Sequence, residues 1–299
     1  MYSFDGADEM PGSSSVIAVN RPTALADLTA GPVEYRLEQR DGPAVVVFHG
    51  GHMRAGLAIG EDVFADLGYS VLVPSRPGYG RTPLRTATSM SSFADVTNEL
   101  CRHLGIDQVA AVVGTSAGGR SAVTMAARYP ELVRRLILES AVSFLPWPDS
   151  RTRIGASVIF TAATERMTWG LVRTLMRVAP STGLRLLLRD LSTRPVSQVL
   201  AALHTADRGA LIALFSHMRS GRGFLNDLLH TPDPSSHVTQ PALVIASRDD
   251  GAVPFAHAES LCDGLADAEL VVSQALSHFI WFSDDYPSIT AKIRDFLAT

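Results

Sequence analysis

The sequence predicts an α/β protein whose mostly parallel sheet is covered by helices on both faces and interrupted once by a helical insertion. Three observations carry this. The runs "AVVVFHGG", "YSVLVP", "QVAAVVG", "RLILES" and "ALVIAS" are apolar with little alternation, as in strands buried on both faces. Segments of helical period separate most of them, which is the rhythm of a parallel sheet with crossover helices. Between residues 144 and 225 that rhythm breaks, and helical segments follow one another without a convincing strand.

The 299 residues suit one large domain, or a core with a modest insertion. Residues 1–14 hold acids and no cationic start before an apolar run, so a flexible tail is expected rather than a signal peptide. Residues 15–143 form the first part of the core. "SSVIAVN" and "VEYRLEQR" are weak strands, and the second puts Val33, Tyr35 and Leu37 on one side. Asp41-Gly42 turns the chain into "AVVVFHGG". "AIGEDVFADLG" reads as one helix, with Ile59, Val63, Phe64 and Leu67 on a face and Gly68 as its stop. "FADVTNELCRHLG" is a helix ending at Gly105, and "GGRSAVTMAARYP" a helix closed before Pro130.

Residues 144–225 are read as a cap, because they follow the carboxyl end of a strand, where open α/β sheets place ligands. Residues 226–299 complete the core with strand "ALVIAS", helix "FAHAESLCDGL", strand "AELVVSQAL" and a closing helix that buries Ile289, Ile293, Phe296 and Leu297.

Twenty-six basic and 30 acidic residues give a net charge of -4, which offers no nucleic-acid surface. Cys101 and Cys262 lie in helix-like segments and read as buried free thiols, with neither a disulfide framework nor a metal cluster. A cytoplasmic setting is expected from that usage. No run of 18 uncharged apolar residues occurs, so no membrane span is expected. The oligomeric state stays open between monomer and homodimer.

"VVGTSAGG" ends a strand and opens a helix. Gly114 and Gly118 flank Ser116 and permit a sharp turn with the hydroxyl exposed at the strand tip. The following helix starts with unpaired N–H groups, so the N–H of Ala117 can face a developing oxyanion. A serine needs a base, and the base an orienting acid. His278, after the last strand, is the candidate base. Asp250 is the candidate acid, with Asp249 beside it as a turn former and Glu139 as a second possible acid. "FHGGHMR" brings Gly50 and Gly51 to another strand end, so Gly51 or His52 supplies a second oxyanion N–H, with Gly51 favoured.

"HGG", "RPGYGRT", "GTSAGG", "DDGAVP" and "SHF" together resemble the α/β-hydrolase superfamily, specifically its cap-bearing serine hydrolases of esterase and lipase type. The resemblance spans residues 33–299 apart from the cap. It implies an eight-stranded sheet, a cap inserted after the sixth strand, a Ser116–Asp250–His278 triad with Ala117 as oxyanion donor, and no cofactor or metal. Arg76 in "SRPGYGRT" is expected to be structural. Ser277 stands where the family usually has glycine, and Thr115 and Ala117 replace common elbow residues.

The expected partner is a small hydrophobic acyl substrate: an ester, lactone or thioester. Substrate-contacting candidates are His52, Met53, Phe144, Trp147, Trp169 and Phe279; Phe160, Met167, Leu175, Met176 and Phe215 add apolar weight to the cap. Arg166, Arg173, Arg177 and Arg185 could clamp a carboxylate, but solvated helix faces explain most of them. The alternatives are hydrolysis of a carbon–carbon bond in a diketone-like acid, amide hydrolysis or acyl transfer, and slow-turnover ligand binding.

Overall fold

The computed structural model describes residues 17–148, 164–229 and 231–299. The tail at 1–14, Phe160 and His230 lie outside them. Ten strands are described: β1 (Ile17–Ala18), β2 (Ala24–Leu28), β3 (Gly31–Glu38), β4 (Ala44–Phe48), β5 (Ala58–Ile59), β6 (Ser70–Pro74), β7 (Val109–Thr115), β8 (Leu136–Glu139), β9 (Ala242–Ser247) and β10 (Ala268–Ser273). Eight form one sheet in the order β10-β9-β8-β7-β4-β6-β3-β2. β2, β3 and β6 pair antiparallel, and the strands from β6 through β4 to β10 pair parallel.

The helices of the core are α1 (Asp62–Asp66), α2 (Met90–His103) and α3 (Gly119–Arg128). After β8 come α4 (Glu165–Val178), α5 (Pro180–Arg189), α6 (Val196–Ala202), α7 (Thr205–His217) and the short α8 (Gly223–Asp227); α9 (Ala256–Gly264) and α10 (Tyr286–Ala298) close the core. Ser89 starts α2 with a reciprocal capping box to Ser92, which satisfies two otherwise orphaned donors.

The period-two alternation divides the sheet into two cores. Val46, Phe48, Leu72, Val112, Leu136 and Val244 pack with Phe93, Leu100, Met125 and Leu261 from α2, α3 and α9. Val45, Val47, Val113, Ile137 and Ile245 share the other core with Ile289, Ile293 and Leu297 of α10. Cap residues Trp169, Met176, Leu188, Leu211 and Phe215 join that second cluster. Cys101 is buried and Cys262 half-buried, and both are free thiols.

Three local expectations need correction. "AIGEDVFADLG" is not one helix: Ala58–Ile59 pairs with β1, and the helix is confined to Asp62–Asp66. Backbone pairing overrides the helical period there. β2 was missed because its sequence, Ala-Leu-Ala-Asp-Leu, has neither β-branched nor aromatic residues and lies at the sheet edge with one fully buried residue, Ala26. "VSQVLAALHTAD" breaks into α6 and the start of α7, with extended Leu203 and His204 between them. No single described helix is long and apolar enough to cross a membrane.

Candidate active site

The parallel strands deliver chemistry-bearing groups to one edge. Ser116 follows β7, Glu139 ends β8, Asp250 lies three residues after β9, and His278 five residues after β10. Ser116 has φ 50°, a left-handed conformation that costs a serine about 1–3 kcal/mol. The turn is held by the main-chain N–H of Val142, which donates to the Ser116 carbonyl at 2.9 Å. Gly118 is required by close packing, since a Cβ there would lie 2.0 Å from the Phe48 carbonyl oxygen. Ser116 itself is half-exposed while its neighbours are buried.

His278 and Asp250 meet. The ring Nδ1–H donates to Asp250 Oδ2 at 2.6 Å, so the lone pair of the neutral ring sits on Nε2. The other carboxylate oxygen accepts main-chain N–H groups of Ala252 and Val253, each at 2.8 Å. Asp249 is turned away: its Oδ1 accepts from Arg194 Nε at 2.9 Å on the half-buried rim.

The glycine loop after β4 faces the same turn. A Cβ on Gly50 would stand 3.3 Å from Ser116 Cβ, and one on Gly51 would stand 3.3 Å from the Phe224 ring and 3.9 Å from Ala117 Cβ. Arg76 braces this loop by donating to the carbonyls of His49 and Gly50 at 2.9 and 3.2 Å. The His49 Nε2 accepts from Arg76 N, so its Nδ1–H donates to the Gly50 carbonyl at 2.8 Å. Arg76 also forms a buried ion pair with Asp227 at the end of α8, and the Tyr79 hydroxyl donates to Asp227 at 2.6 Å.

An aromatic group closes over the loop. The His52 ring stacks 4.1 Å from Phe224 and 5.2 Å from Trp169, and Trp147 meets Phe224 edge-on at 6.2 Å. Trp169 Nε1–H donates to Ser220 Oγ at 2.7 Å, and the same oxygen lies 2.7 Å from His52 Nδ1. Burial and the nearby Arg76 charge push the His52 imidazole down to about 3, so it is neutral. Met53 is buried against this group's floor, next to Gly50.

One substrate candidate is placed elsewhere: Phe144 packs into the cluster beneath α3. Phe279 lies 5.9 Å from the His278 ring and meets Phe215 and Phe282 edge-on and Trp281 at a tilt. Alternation of side-chain direction in an irregular segment is not legible from spacing. Met167 is exposed, whereas Met176 and Phe215 are buried and Leu175 is half-buried. The cap arginines fit the solvated reading better than the clamp. Arg166, Arg177 and Arg185 sit on exposed helix positions and Arg173 is half-exposed, because solvating a guanidinium is cheaper than burying it. The arginines buried near the site are Arg76 and Arg120. Arg120, the second residue of α3, donates to the carbonyls of Ser143, Leu145 and Asp227, so it ties both chain crossings between core and cap. Sequence reasoning missed Arg120, Phe224, Tyr79 and Asp227, whose roles come from contacts more than 20 residues apart.

Glu139 occupies the neighbouring strand end, in register with Thr115. It is 1 % exposed, and its Oε1 and the Trp281 Nε1 have no hydrogen-bond partner among the described residues. Burial, with the Glu61 charge nearby, pushes its carboxyl up to about 8, so it is largely protonated at neutral pH.

The sheet order, the strand-to-helix serine turn and the helices after β8 are those of one superfamily, and comparison with known sequences decides it. The model of the alpha/beta hydrolase fold matches residues 43–166, and that of TAP-like proteins matches residues 228–299. An uncharacterized hydrolase of Bacillus subtilis is 32% identical over 89% of this chain and 95% of its own. The chain belongs to the α/β-hydrolase family. A 2-hydroxy-6-oxononadienedioate/2-hydroxy-6-oxononatrienedioate hydrolase of a Pseudomonas species is 27% identical over 89% of this hydrolase and 93% of its own chain. Among solved structures, an alpha/beta hydrolase fold protein from Nakamurella multipartita superposes with a TM-score of 0.73 at 23% identity, covering 92% of this chain and 99% of that one.

Proposed function

We propose that this hydrolase is a serine enzyme that cleaves a small or medium hydrophobic carboxylic ester, lactone or thioester through an acyl-enzyme at Ser116. The observation that carries the reading is the Asp250–His278 hydrogen bond of 2.6 Å at the same sheet edge as the left-handed Ser116. Nε2 of His278 takes the Ser116 proton as Oγ attacks the carbonyl carbon. Asp250 holds the ring in the required tautomer. The N–H groups of Ala117 and Gly51 receive the oxyanion. His278 returns the proton to the leaving alcohol or thiol. It then activates water, which attacks the acyl carbon and releases the acid and Ser116.

The lining favours an apolar acyl group. His52 is neutral, Trp147, Trp169 and Phe224 surround it, and the buried arginines Arg76 and Arg120 are committed to protein partners. A second reading, hydrolysis of a carbon–carbon bond in a keto acid, is favoured by the named activity of the Pseudomonas relative.

The test compares wild type with Ser116→Ala on p-nitrophenyl esters of increasing chain length and on a vinylogous diketo acid, following release by absorbance. The expected result is turnover of short and medium esters, lost at least about 10³-fold in the variant. Turnover of the diketo acid alone would move the second reading to first place. Equal rates in both proteins would overturn both.

A further inference from the structure

His278 is fixed at three points. Its ring bonds Asp250. Its main-chain carbonyl accepts from Ser140 Oγ at 3.0 Å, and Ser140 has a left-handed φ of 46°. Its main-chain N–H donates to the Leu191 carbonyl at 2.8 Å. Leu191 does not belong to the core: it lies between α5 and α6, in the middle of the cap.

That cap loop touches both loops of the acid–base pair. The Leu191 carbonyl also accepts from Gly251 N at 3.3 Å, so one oxygen joins the acid loop to the base loop. Ser192 pairs with Asp250 as an isolated antiparallel bridge. The Ser192 hydroxyl donates to the Leu276 carbonyl, two residues before His278, and accepts from Arg194 N at 2.9 Å. Thr193 N donates to the Asp249 carbonyl at 3.0 Å. The fit is close: a Cβ on Gly251 would stand 2.6 Å from Ser192 N.

We propose that the loop between α5 and α6 is a working part of the acid–base pair, with Ser192 as a positioning residue that sets His278 from the cap. The inference rests on the triad reading above. If it holds, the cap does more than wall the pocket. When the cap loop lifts, the Leu191 carbonyl leaves both loops, and the base loses one of its two main-chain anchors. Catalysis is thereby tied to the docked position of the cap, independently of how well substrate fits. A misplacement of the base by about 1 Å can cost about 10²-fold in rate.

The experiment uses the whole enzyme and three variants: Ser192→Ala, Ser192→Thr and Gly251→Ala. Ser192 is half-exposed, so the alanine variant is expected to fold, checked by its melting temperature. The readouts are kcat and KM on the best p-nitrophenyl ester, the rate at which a fluorophosphonate labels Ser116, and the low-field proton NMR signal of the His278 Nδ1–H. In Ser192→Ala, kcat and labelling are expected to fall together by about 10-fold or more, with KM within about twofold and the low-field signal broadened. Ser192→Thr keeps the hydroxyl and restores the rate. Gly251→Ala pushes the loop away without removing a hydrogen-bonding side chain, and should show the same loss of kcat. Unchanged kcat and labelling in both alanine variants, or an effect confined to KM, would overturn the proposal while wild-type labelling leaves the triad intact. Absence of labelling in the wild type would overturn both.

Discussion

Asp250 and Glu139 stand at the ends of neighbouring parallel strands, and both are almost fully buried. Their surroundings separate them. Asp250 receives an imidazole N–H and two main-chain N–H groups. Three donors satisfy its two oxygens in a dry site. Glu139 has one oxygen without a partner, and burial pushes it up to about 8. Position on the sheet edge therefore does not decide a carboxyl's surroundings; the donors around it do. The same contrast explains why two candidate acids could be named from the sequence but not ranked by strand position alone.

The largest effect is expected on the well-donated side. Asp250→Asn should leave the fold intact, since the amide oxygen can still accept from Ala252 and Val253. It should lower kcat by about 10³–10⁴-fold, because the ring loses the acceptor that fixes its tautomer. Steady-state kinetics on the preferred ester checks it. If Glu139→Gln showed that loss instead, the comparison would be reversed.

Next comes the brace under the glycine loop. Asp227→Ala leaves the buried Arg76 charge and the Tyr79 hydroxyl without their partner, and should cost about 3–5 kcal/mol in a denaturant titration. Activity should fall as well, because Arg76 holds the carbonyls that orient Gly50 and Gly51.

Glu139→Gln sharpens the comparison through pH. The folded state keeps the Glu139 proton up to about 8, whereas the unfolded chain releases it near the ordinary carboxyl value of 4.5. The folded state thus binds more protons within that window, and stability contributed by the neutral carboxyl is lost as pH rises from 4.5 towards 8. Melting temperatures measured across the window should fall more steeply for wild type than for the glutamine variant, with kcat near the wild-type value.

The smallest effect is expected at His257, which bonds Ser143 at the start of the cap crossing. Burial, and then the Arg120 charge, push it down to about 4 from 6.5. Folding keeps it neutral, so its contribution is present above 6.5 and is lost as pH falls towards 4. His257→Gln should make the acid side of the stability profile shallower by that one group.

Legibility in the sequence followed the range of the forces. The serine turn was readable because Gly114, Ser116 and Gly118 act within five residues. The Asp250–His278 encounter was inferable because parallel strands deliver their following loops to one edge. The strand at Ala24–Leu28 escaped because its pairing with β3, and not its own composition, makes it a strand. The helical segments of the cap were readable from their period, but their inward faces were not. Phe224 and Leu191 reach the site through contacts with residues 60 or more positions away in the chain.

One measurement tests the central claim most directly: intact mass over time with a fluorophosphonate, for wild type, Ser116→Ala, Asp250→Asn and Glu139→Gln, with the adduct mapped by peptide sequencing. A single adduct at Ser116 is expected, formed at similar rates in wild type and Glu139→Gln, far more slowly in Asp250→Asn, and not at all in Ser116→Ala. An adduct that persists in Ser116→Ala, or equal labelling of Asp250→Asn and wild type, would contradict it.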